Sequence, residues 1–191
     1  MEAHAGPTPM ALRKDAMLAA TRIMQDVVAA AHRHPPHGRG TVGMVQVFPN
    51  SRNVIPGRVK FSIDLRNSTD ALVDAMAAEV KAFADQVAQE HGVQVHIEMV
   101  SSYPAQLFQP ECVEAVGRAA AKLGYSHMPA VSGAGHDAVY MAKLAPSGMI
   151  FIPCKDGISH NEIEDAKPEH IEAGCNVLLH AMLERAGLGA I

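Results

Sequence analysis

The sequence predicts a small α+β domain over residues 1–105 and part of an α/β domain over residues 106–191. In the first part, two stretches with helical periodicity enclose stretches with the alternating pattern of strands. In the second part, helical stretches alternate with one continuous apolar segment, an order typical of α/β proteins. Pro104 and Pro110 interrupt both patterns and mark the boundary between the parts.

The first domain is predicted to contain two helices and three strands. Apolar residues recur every three or four positions over Lys14–Ala31 and Thr69–Glu90, which predicts helices. Residues that are β-branched or alternate between apolar and polar predict strands at Thr41–Phe48, Arg58–Arg66 and Val93–Met99. Two helices packed on one face of an antiparallel sheet would accommodate this order. The polar face and the edge strand of that sheet are then a natural place for dimerisation.

The second domain is predicted to contain helices at Glu111–Leu123, about His136–Leu144, and Pro168–Ala186. Between the last two lies Met149–Ile152, a continuous apolar segment that predicts a strand buried on both faces. The last helix should bury one apolar stripe, formed by Ile171, Cys175, Leu178 and Met182. One strand is too few for a sheet, so we expect this region to be a piece of a larger domain.

Composition and charge exclude several classes of function. The formal net charge of -4 contains no long runs of one sign, which argues against binding to nucleic acid or to an anionic membrane surface. The longest apolar runs fall well short of the roughly 20 residues that a membrane span requires. The first residues lack the basic and apolar regions of a signal peptide, so we expect a cytoplasmic protein.

His160 is the candidate metal ligand. It lies in Gly157-Ile158-Ser159-His160-Asn161-Glu162, directly after the predicted buried strand. Open α/β sheets bind ligands in the loops at the carboxyl ends of their strands, and an imidazole there is a suitable ligand for a divalent metal. Glu162 and Glu164 could orient the ring. The alternative is a histidine whose hydrogen bonds are made to the backbone of a polar turn.

Four further residues are candidates for substrate contacts. Gly135 and His136 lie in a glycine-rich turn before a predicted helix, where the backbone could approach a carboxylate; the alternative is a turn with no ligand. Asn53 lies in a loop rich in turn-forming residues, and its amide can both donate to and accept from an amide or urea group. Arg66 ends the second strand, and its planar guanidinium matches a carboxylate, although a surface salt bridge is the simpler interpretation.

Together these motifs resemble the amidase family that contains N-carbamoyl-L-amino-acid hydrolases, β-ureidopropionases and allantoate amidohydrolases. The resemblance rests on five segments in the same order along nearly the whole chain. They are His-Ala-Gly-Pro-Thr-Pro-Met from His4, Pro-Asn-Ser-Arg-Asn-Val-Ile-Pro-Gly around Asn53, Asp-Leu-Arg ending at Arg66, Ser-Gly-Ala-Gly-His-Asp-Ala around His136, and Gly-Ile-Ser-His-Asn around His160.

The resemblance implies a role for each candidate residue. His160 would be a metal ligand, and Gly135 with His136 would hold the carboxylate of the substrate. His4, Asn53 and Arg66 would lie on a lid domain, where Asn53 and Arg66 bind substrate and His4 acts in catalysis by stabilising the developing oxyanion. Residues 1–105 would therefore be a lid and dimerisation domain without its first strand. Residues 106–191 would be the C-terminal segment of an α/β di-metal hydrolase domain.

The resemblance also implies an activity and what it requires. The complete enzyme would hydrolyse the carbamoyl amide of an N-carbamoyl-L-amino acid or a related ureido acid, with two divalent ions of Zn, Mn, Co or Ni. The other metal ligands and a glutamate base belong to an N-terminal half that we expect to be missing here. The chain would form a homodimer through its lid, and alone it should be inactive. The alternatives are a non-catalytic lid and dimerisation fragment, or a part of an allantoate amidohydrolase or β-ureidopropionase.

Overall fold

The computed structural model describes residues 1–187. The chain divides into two compact units, Met1–Ala105 and the residues from Gln106 onward. Among the described residues, no helix is both long and apolar enough to cross a membrane.

Two long helices form the framework of the first unit. Helix α1 spans Ala16–Arg33, and the side chain of Asp15 caps it by accepting hydrogen bonds from two backbone amides of its first turn. Helix α2 spans Asp70–His91; Thr69 caps its start, and Gly92, with a φ of 60°, ends it in the left-handed conformation that glycine adopts without strain. The helical predictions for this unit are therefore confirmed to within a few residues.

Six short strands form three antiparallel pairs in this unit. The strands are β1 (Ala3–His4), β2 (Arg39–Thr41), β3 (Val45–Phe48), β4 (Val54–Ile55), β5 (Arg58–Phe61) and β6 (Asp64–Arg66). Strand β1 pairs with β4, β2 with β6, and β3 with β5. Each of the two long predicted strands is thus divided in two, because residues 42–44 and 62–63 do not continue the pairing.

The core of the first unit lies where α1 and α2 pack against each other and against the strands. Val27 and Ala30 of α1 and Val80 of α2 form one fully apolar cluster, bordered by side chains of the strands and their connections. At Gly40 in β2, an added Cβ would collide with the carbonyl oxygen of Val27. The strand can approach the helix this closely only because residue 40 has no side chain.

The predicted strand at Val93–Met99 is wrong, since none of its residues takes part in a strand pair. Val93 and Val95 do turn inward and pack against the cluster between α1 and α2. Ile97 and Met99, the other two apolar residues of the pattern, are exposed. Apolar and polar residues do alternate in this segment, but a strand also requires a neighbouring strand for its backbone hydrogen bonds.

The second unit is built on two packed helices. Helix α3 spans Pro110–Lys122 and α5 spans Pro168–Arg185, with a short helix α4 at Asp137–Met141 between them. A 3-10 turn at Lys155–Gly157 precedes the His160 loop. Alanine and valine side chains form the contact between the two long helices: Ala115, Ala119, Ala120, Val177 and Ala181. All three predicted helices exist, although α4 is shorter than expected.

The predicted buried strand at Met149–Ile152 is also wrong. No described residue of this unit belongs to a strand pair. Ile150 packs against the helical core, whereas Phe151 is 53% exposed and its ring contacts that of His136. The segment therefore has the apolar sequence of an interior strand but no neighbouring strand among the described residues.

The stripe predicted to be buried on α5 is exposed. Ile171, Cys175, Leu178 and Met182 all lie on the open face of the helix, with Leu178 at 51% and Met182 at 62% exposure. The buried residues of α5 are instead Val177 and Ala181, because α3 packs on that side. Helix α5 consequently has two apolar faces, and only one of them is covered by the described residues.

Candidate active site

His4 lies in β1, the first strand of the chain, with its side chain exposed. Its Nδ1 accepts a hydrogen bond of 3.1 Å from the backbone amide of Gly6. An imidazole nitrogen that accepts a hydrogen bond carries no proton, so in the neutral ring the proton is on Nε2. The exposed ring can therefore donate one hydrogen bond through Nε2 to a ligand oxygen.

Asn53 is next to His4 because of the pairing between β1 and β4. His4 lies opposite Val54 in that pair, and the amide of Ala5 donates to the carbonyl oxygen of Asn53 at 2.8 Å. The side-chain Oδ1 of Asn53 accepts a hydrogen bond of 3.0 Å from the hydroxyl of Ser51. Since Oδ1 accepts this bond, the amide nitrogen of Asn53 is the group that can donate to a ligand.

Arg66 ends β6, two residues after Asp64 on the same face of the strand. Its Nε and Nη2 donate to the two carboxylate oxygens of Asp64 at 2.9 and 2.7 Å. This bidentate contact lowers the pKa of Asp64 from its ordinary value, and it raises that of Arg66 in turn. Both side chains are about half exposed, so the guanidinium remains accessible to an anionic ligand.

Gly135 and His136 lie in the loop before α4. His136 is the residue that directly precedes the helix, and its Nε2 contacts the hydroxyl of Ser132 at 2.7 Å. Its ring also packs edge-on against Phe151, with 5.5 Å between the ring centres. The space where a side chain at Gly135 would point is open. The loop therefore has an accessible backbone beside an imidazole that Ser132 and Phe151 hold in place.

His160 follows the 3-10 turn of the second unit and is exposed. Its φ of 57° is in the left-handed region that few residues other than glycine adopt. The backbone amide of His160 donates to the carboxylate of Glu164 at 2.9 Å, which helps to hold this conformation. Glu164 thus contacts the backbone of His160 rather than its ring.

A centre with two metal ions does not fit the described residues alone. Among residues 1–187, no group of three or more histidine, cysteine, aspartate or glutamate side chains is close enough to hold a metal ion. A stable zinc site needs three or four protein ligands. His160 offers one imidazole, which is fewer ligands than such a site needs.

The six candidate residues divide equally between the two units. His4, Asn53 and Arg66 lie in the first, and Gly135, His136 and His160 lie in the second. Sequence reasoning overlooked the residues that hold these side chains: Thr8 and Arg13 around the turn that follows His4, Asp64 at Arg66, and Ser132 at His136. The close spacing of Asp64 and Arg66 on one strand face was a usable signal, whereas the contacts of Arg13 depend on the turn geometry.

The chain matches the model of peptidase family M20/M25/M40 over residues 4–184. It is 48% identical to an N-carbamoyl-L-amino-acid amidohydrolase of Rhizobium meliloti, over 97% of this chain and 44% of that protein. It is 31% identical to an allantoate amidohydrolase of Bacillus subtilis, over 96% of this chain and 44% of that protein.

Solved structures agree with these matches. A crystal structure of a hydantoinase/carbamoylase family amidase from Burkholderia multivorans is similar with a TM-score of 0.92 and 54% identity. That match covers 97% of this chain but 45% of the solved one. The chain thus spans less than half the length of the relatives that it matches. It belongs to peptidase family M20/M25/M40, and within that family it is similar to part of the hydantoinase/carbamoylase amidases.

Proposed function

We propose that this chain is part of a metal-dependent cytoplasmic amidohydrolase that hydrolyses the carbamoyl amide of N-carbamoyl-L-amino acids or a related ureido acid. The observation that carries the proposal is the match along nearly the whole chain to proteins named N-carbamoyl-L-amino-acid amidohydrolase. The products would be an L-amino acid, carbon dioxide and ammonia. In this proposal, the chain supplies the groups that hold the substrate.

The first unit acts in this proposal as the lid. His4 donates a hydrogen bond from Nε2 to the oxygen of the carbamoyl group as negative charge develops there, which is where a fixed donor stabilises a transition state most. Arg66 binds the carboxylate of the substrate, and Asn53 donates to its ureido group. The exposure of His4 and the half-exposed guanidinium of Arg66 support these roles.

The second unit acts as the C-terminal segment of the catalytic domain. We assign the backbone at Gly135 and the ring of His136 to binding of the substrate carboxylate. His160 would be one ligand of a centre for two divalent metal ions, of Zn, Mn, Co or Ni, and such a centre would supply polarisation of the amide. The remaining ligands come from what we call the complementary region, the polypeptide equivalent to the part of the relatives outside the match.

Exposed apolar side chains in the second unit support the need for this complementary region. The open face of α5 exposes Leu178 and Met182 to solvent, and the segment Met149–Ile152 exposes Phe151. Helices with two apolar faces and apolar strand-like segments are normally covered on both sides. We assign these surfaces of the second unit to contact with the complementary region.

We assign the first unit to a homodimer contact.

The proposal can be tested by producing the chain together with the complementary region of the Rhizobium meliloti relative. The assembly is loaded with Mn or Zn and assayed on N-carbamoyl-L-amino acids, allantoate, β-ureidopropionate and N-acetyl-amino acids. Preferred hydrolysis of the N-carbamoyl compounds supports the proposal. Preference for allantoate or β-ureidopropionate would assign a different ureido acid, and preference for N-acetyl substrates would contradict the proposal.

A second candidate function is a non-catalytic lid and dimerisation module. The observation that favours it is that no group of three potential metal ligands occurs among residues 1–187. In this case the chain forms a dimer, but adding the complementary region produces no hydrolysis of any compound in the panel. Sedimentation and the same assay therefore distinguish the two functions.

A further inference from the structure

The turn formed by residues 4–8, called the His4 turn below, is held by hydrogen bonds on two sides. On one side, the amide of Ala5 donates to the carbonyl oxygen of Asn53 at 2.8 Å. Within the turn, the hydroxyl of Thr8 donates to the carbonyl oxygen of His4 at 2.6 Å. On the other side, Arg13 donates through Nη2 to the carbonyl of Ala5 at 2.6 Å and through Nε to that of Thr8 at 3.1 Å.

The contact between Arg13 and Ala5 bears directly on the imidazole of His4. The carbonyl of Ala5 and the amide of Gly6 belong to one planar peptide unit and point in opposite directions. The guanidinium of Arg13 holds the carbonyl end of this unit, and the amide end donates to Nδ1 of His4 at 3.1 Å. Any rotation that released the carbonyl from Arg13 would also turn the amide away from the ring.

We propose that Arg13 is a positioning residue that fixes His4 in the tautomer with its proton on Nε2. It does so by holding the peptide unit between Ala5 and Gly6 in one orientation. A charged donor on the carbonyl also polarises the peptide, which makes the Gly6 amide a stronger donor to Nδ1. With Nδ1 occupied, the exposed Nε2 is the nitrogen that carries the proton.

The chemistry of the Arg13 contact explains why an arginine is required. Its guanidinium donates from two nitrogens in a fixed plane and so reaches two carbonyls at once. A lysine would keep the positive charge, but its single ammonium group would not reproduce this planar contact. The role of the tautomer in catalysis rests on the proposed function, whereas the tautomer itself is a property of this chain.

The test is nitrogen NMR of the imidazole of His4 in the full chain at pH 8. Signals are assigned by their loss in His4→Gln, and the variants Arg13→Met, Arg13→Lys and Thr8→Val are compared with the wild type. Arg22→Met is the matched control, because Arg22 makes an ion pair with Glu90 elsewhere in the same unit. Exchange of the Gly6 amide with solvent is measured in the same samples.

The wild type should show one protonated and one unprotonated nitrogen, with the proton on Nε2. In Arg13→Met the two nitrogen shifts should move toward each other, and the Gly6 amide should exchange roughly tenfold faster, as expected when one hydrogen bond is lost. Arg13→Lys and Thr8→Val should change in the same direction by less, and Arg22→Met should match the wild type.

Unchanged nitrogen shifts and unchanged Gly6 exchange in a folded Arg13→Met chain would overturn the proposal. If Arg13→Met does not fold, Arg13→Lys decides, and shifts identical to the wild type in that variant overturn the proposal equally. A further outcome is that the expected NMR results are obtained while the assembly shows no amidohydrolase activity. That outcome would contradict the proposed function but not the role of Arg13. In an active assembly, Arg13→Lys should lower kcat and leave KM nearly unchanged.

Discussion

Arg13 and Arg66, both in the first unit, use their guanidinium groups in two different ways. Arg13 donates to backbone carbonyls and is half-buried, so it acts on the shape of the turn around His4. Arg66 donates to the carboxylate of Asp64 and is about half exposed, so it remains accessible to an anion from solution. Substitution of Arg13 is therefore expected to change kcat, and substitution of Arg66 is expected to change KM.

Arg66→Lys should weaken the binding of substrate in the active assembly. Lysine keeps the charge but loses the planar pair of donors that matches a carboxylate, so KM should rise about tenfold, or about 1.4 kcal/mol, with kcat little changed. Arg22→Lys, on an ion pair in the same unit, is the matched control and should leave KM unaltered. Equal KM values for the two variants would remove Arg66 from the substrate site.

Glu79 should make the stability of the first unit depend on pH. His34 and Arg33 donate to its carboxylate at 2.8 and 2.9 Å, and these hydrogen bonds lower the pKa of Glu79 below its ordinary value. A lowered pKa in the folded state stabilises the fold above the ordinary glutamate value of about 4.3. This contribution is lost as the pH falls through the lowered value.

Denaturation by urea provides the measurement for Glu79. The midpoint of Glu79→Gln should lie below that of the wild type at pH 7, and the difference should shrink as the pH approaches 3. A difference that stays constant from pH 7 to pH 3 would show that the charge of Glu79 has no part in it.

Among the elements, the helices were easier to predict from sequence than the strands. A helix makes its backbone hydrogen bonds within one segment, so the periodicity of α1 and α2 was a sufficient signal. A strand makes its bonds with another segment, and alternation does not reveal whether a partner exists. The segments Val93–Met99 and Met149–Ile152 both carried strand patterns, and neither belongs to a strand pair.

The cap of α1 should contribute measurably to the stability of the first unit. Asp15 accepts hydrogen bonds from the amides of Met17 and Leu18 at 2.9 and 3.2 Å, so Asp15→Ala should cost about 1 kcal/mol in urea denaturation. Asp85→Ala is the control, because Asp85 makes an exposed ion pair with Lys81 and should contribute less than about 0.5 kcal/mol. Equal losses from the two variants would contradict the importance of the cap.

For the whole molecule, the sequence indicated the candidate residues but not their supporting contacts. The order of the motifs around His4, Asn53, Arg66, His136 and His160 was sufficient for the family assignment. The stripe on α5 was predicted to be buried because its apolar residues recur with helical periodicity. Such a pattern does not reveal which part of a protein covers the stripe. Among the described residues nothing covers it, and the relatives are more than twice as long as this chain.

Leu178→Glu should prevent the chain from assembling with the complementary region. The side chain is 51% exposed, so the change should leave the helix intact, but a charge in a contact that must become buried is strongly unfavourable. Leu72→Glu is the matched control, at an exposed leucine on α2 of the first unit. Co-purification with the complementary region provides the measurement, and equal recovery of both variants would contradict the assignment of the α5 face.

In the proposed function, this chain supplies the groups that hold the substrate of an amidohydrolase, and His4 donates a hydrogen bond to the developing oxyanion. The most direct measurement is kcat for an N-carbamoyl-L-amino acid, compared between assemblies that contain the wild-type chain and His4→Ala. Loss of one such donor should lower kcat by roughly 10²–10³-fold, while the chain without the complementary region should be inactive. An unchanged kcat in the His4→Ala assembly, or full activity from the chain alone, would contradict this function.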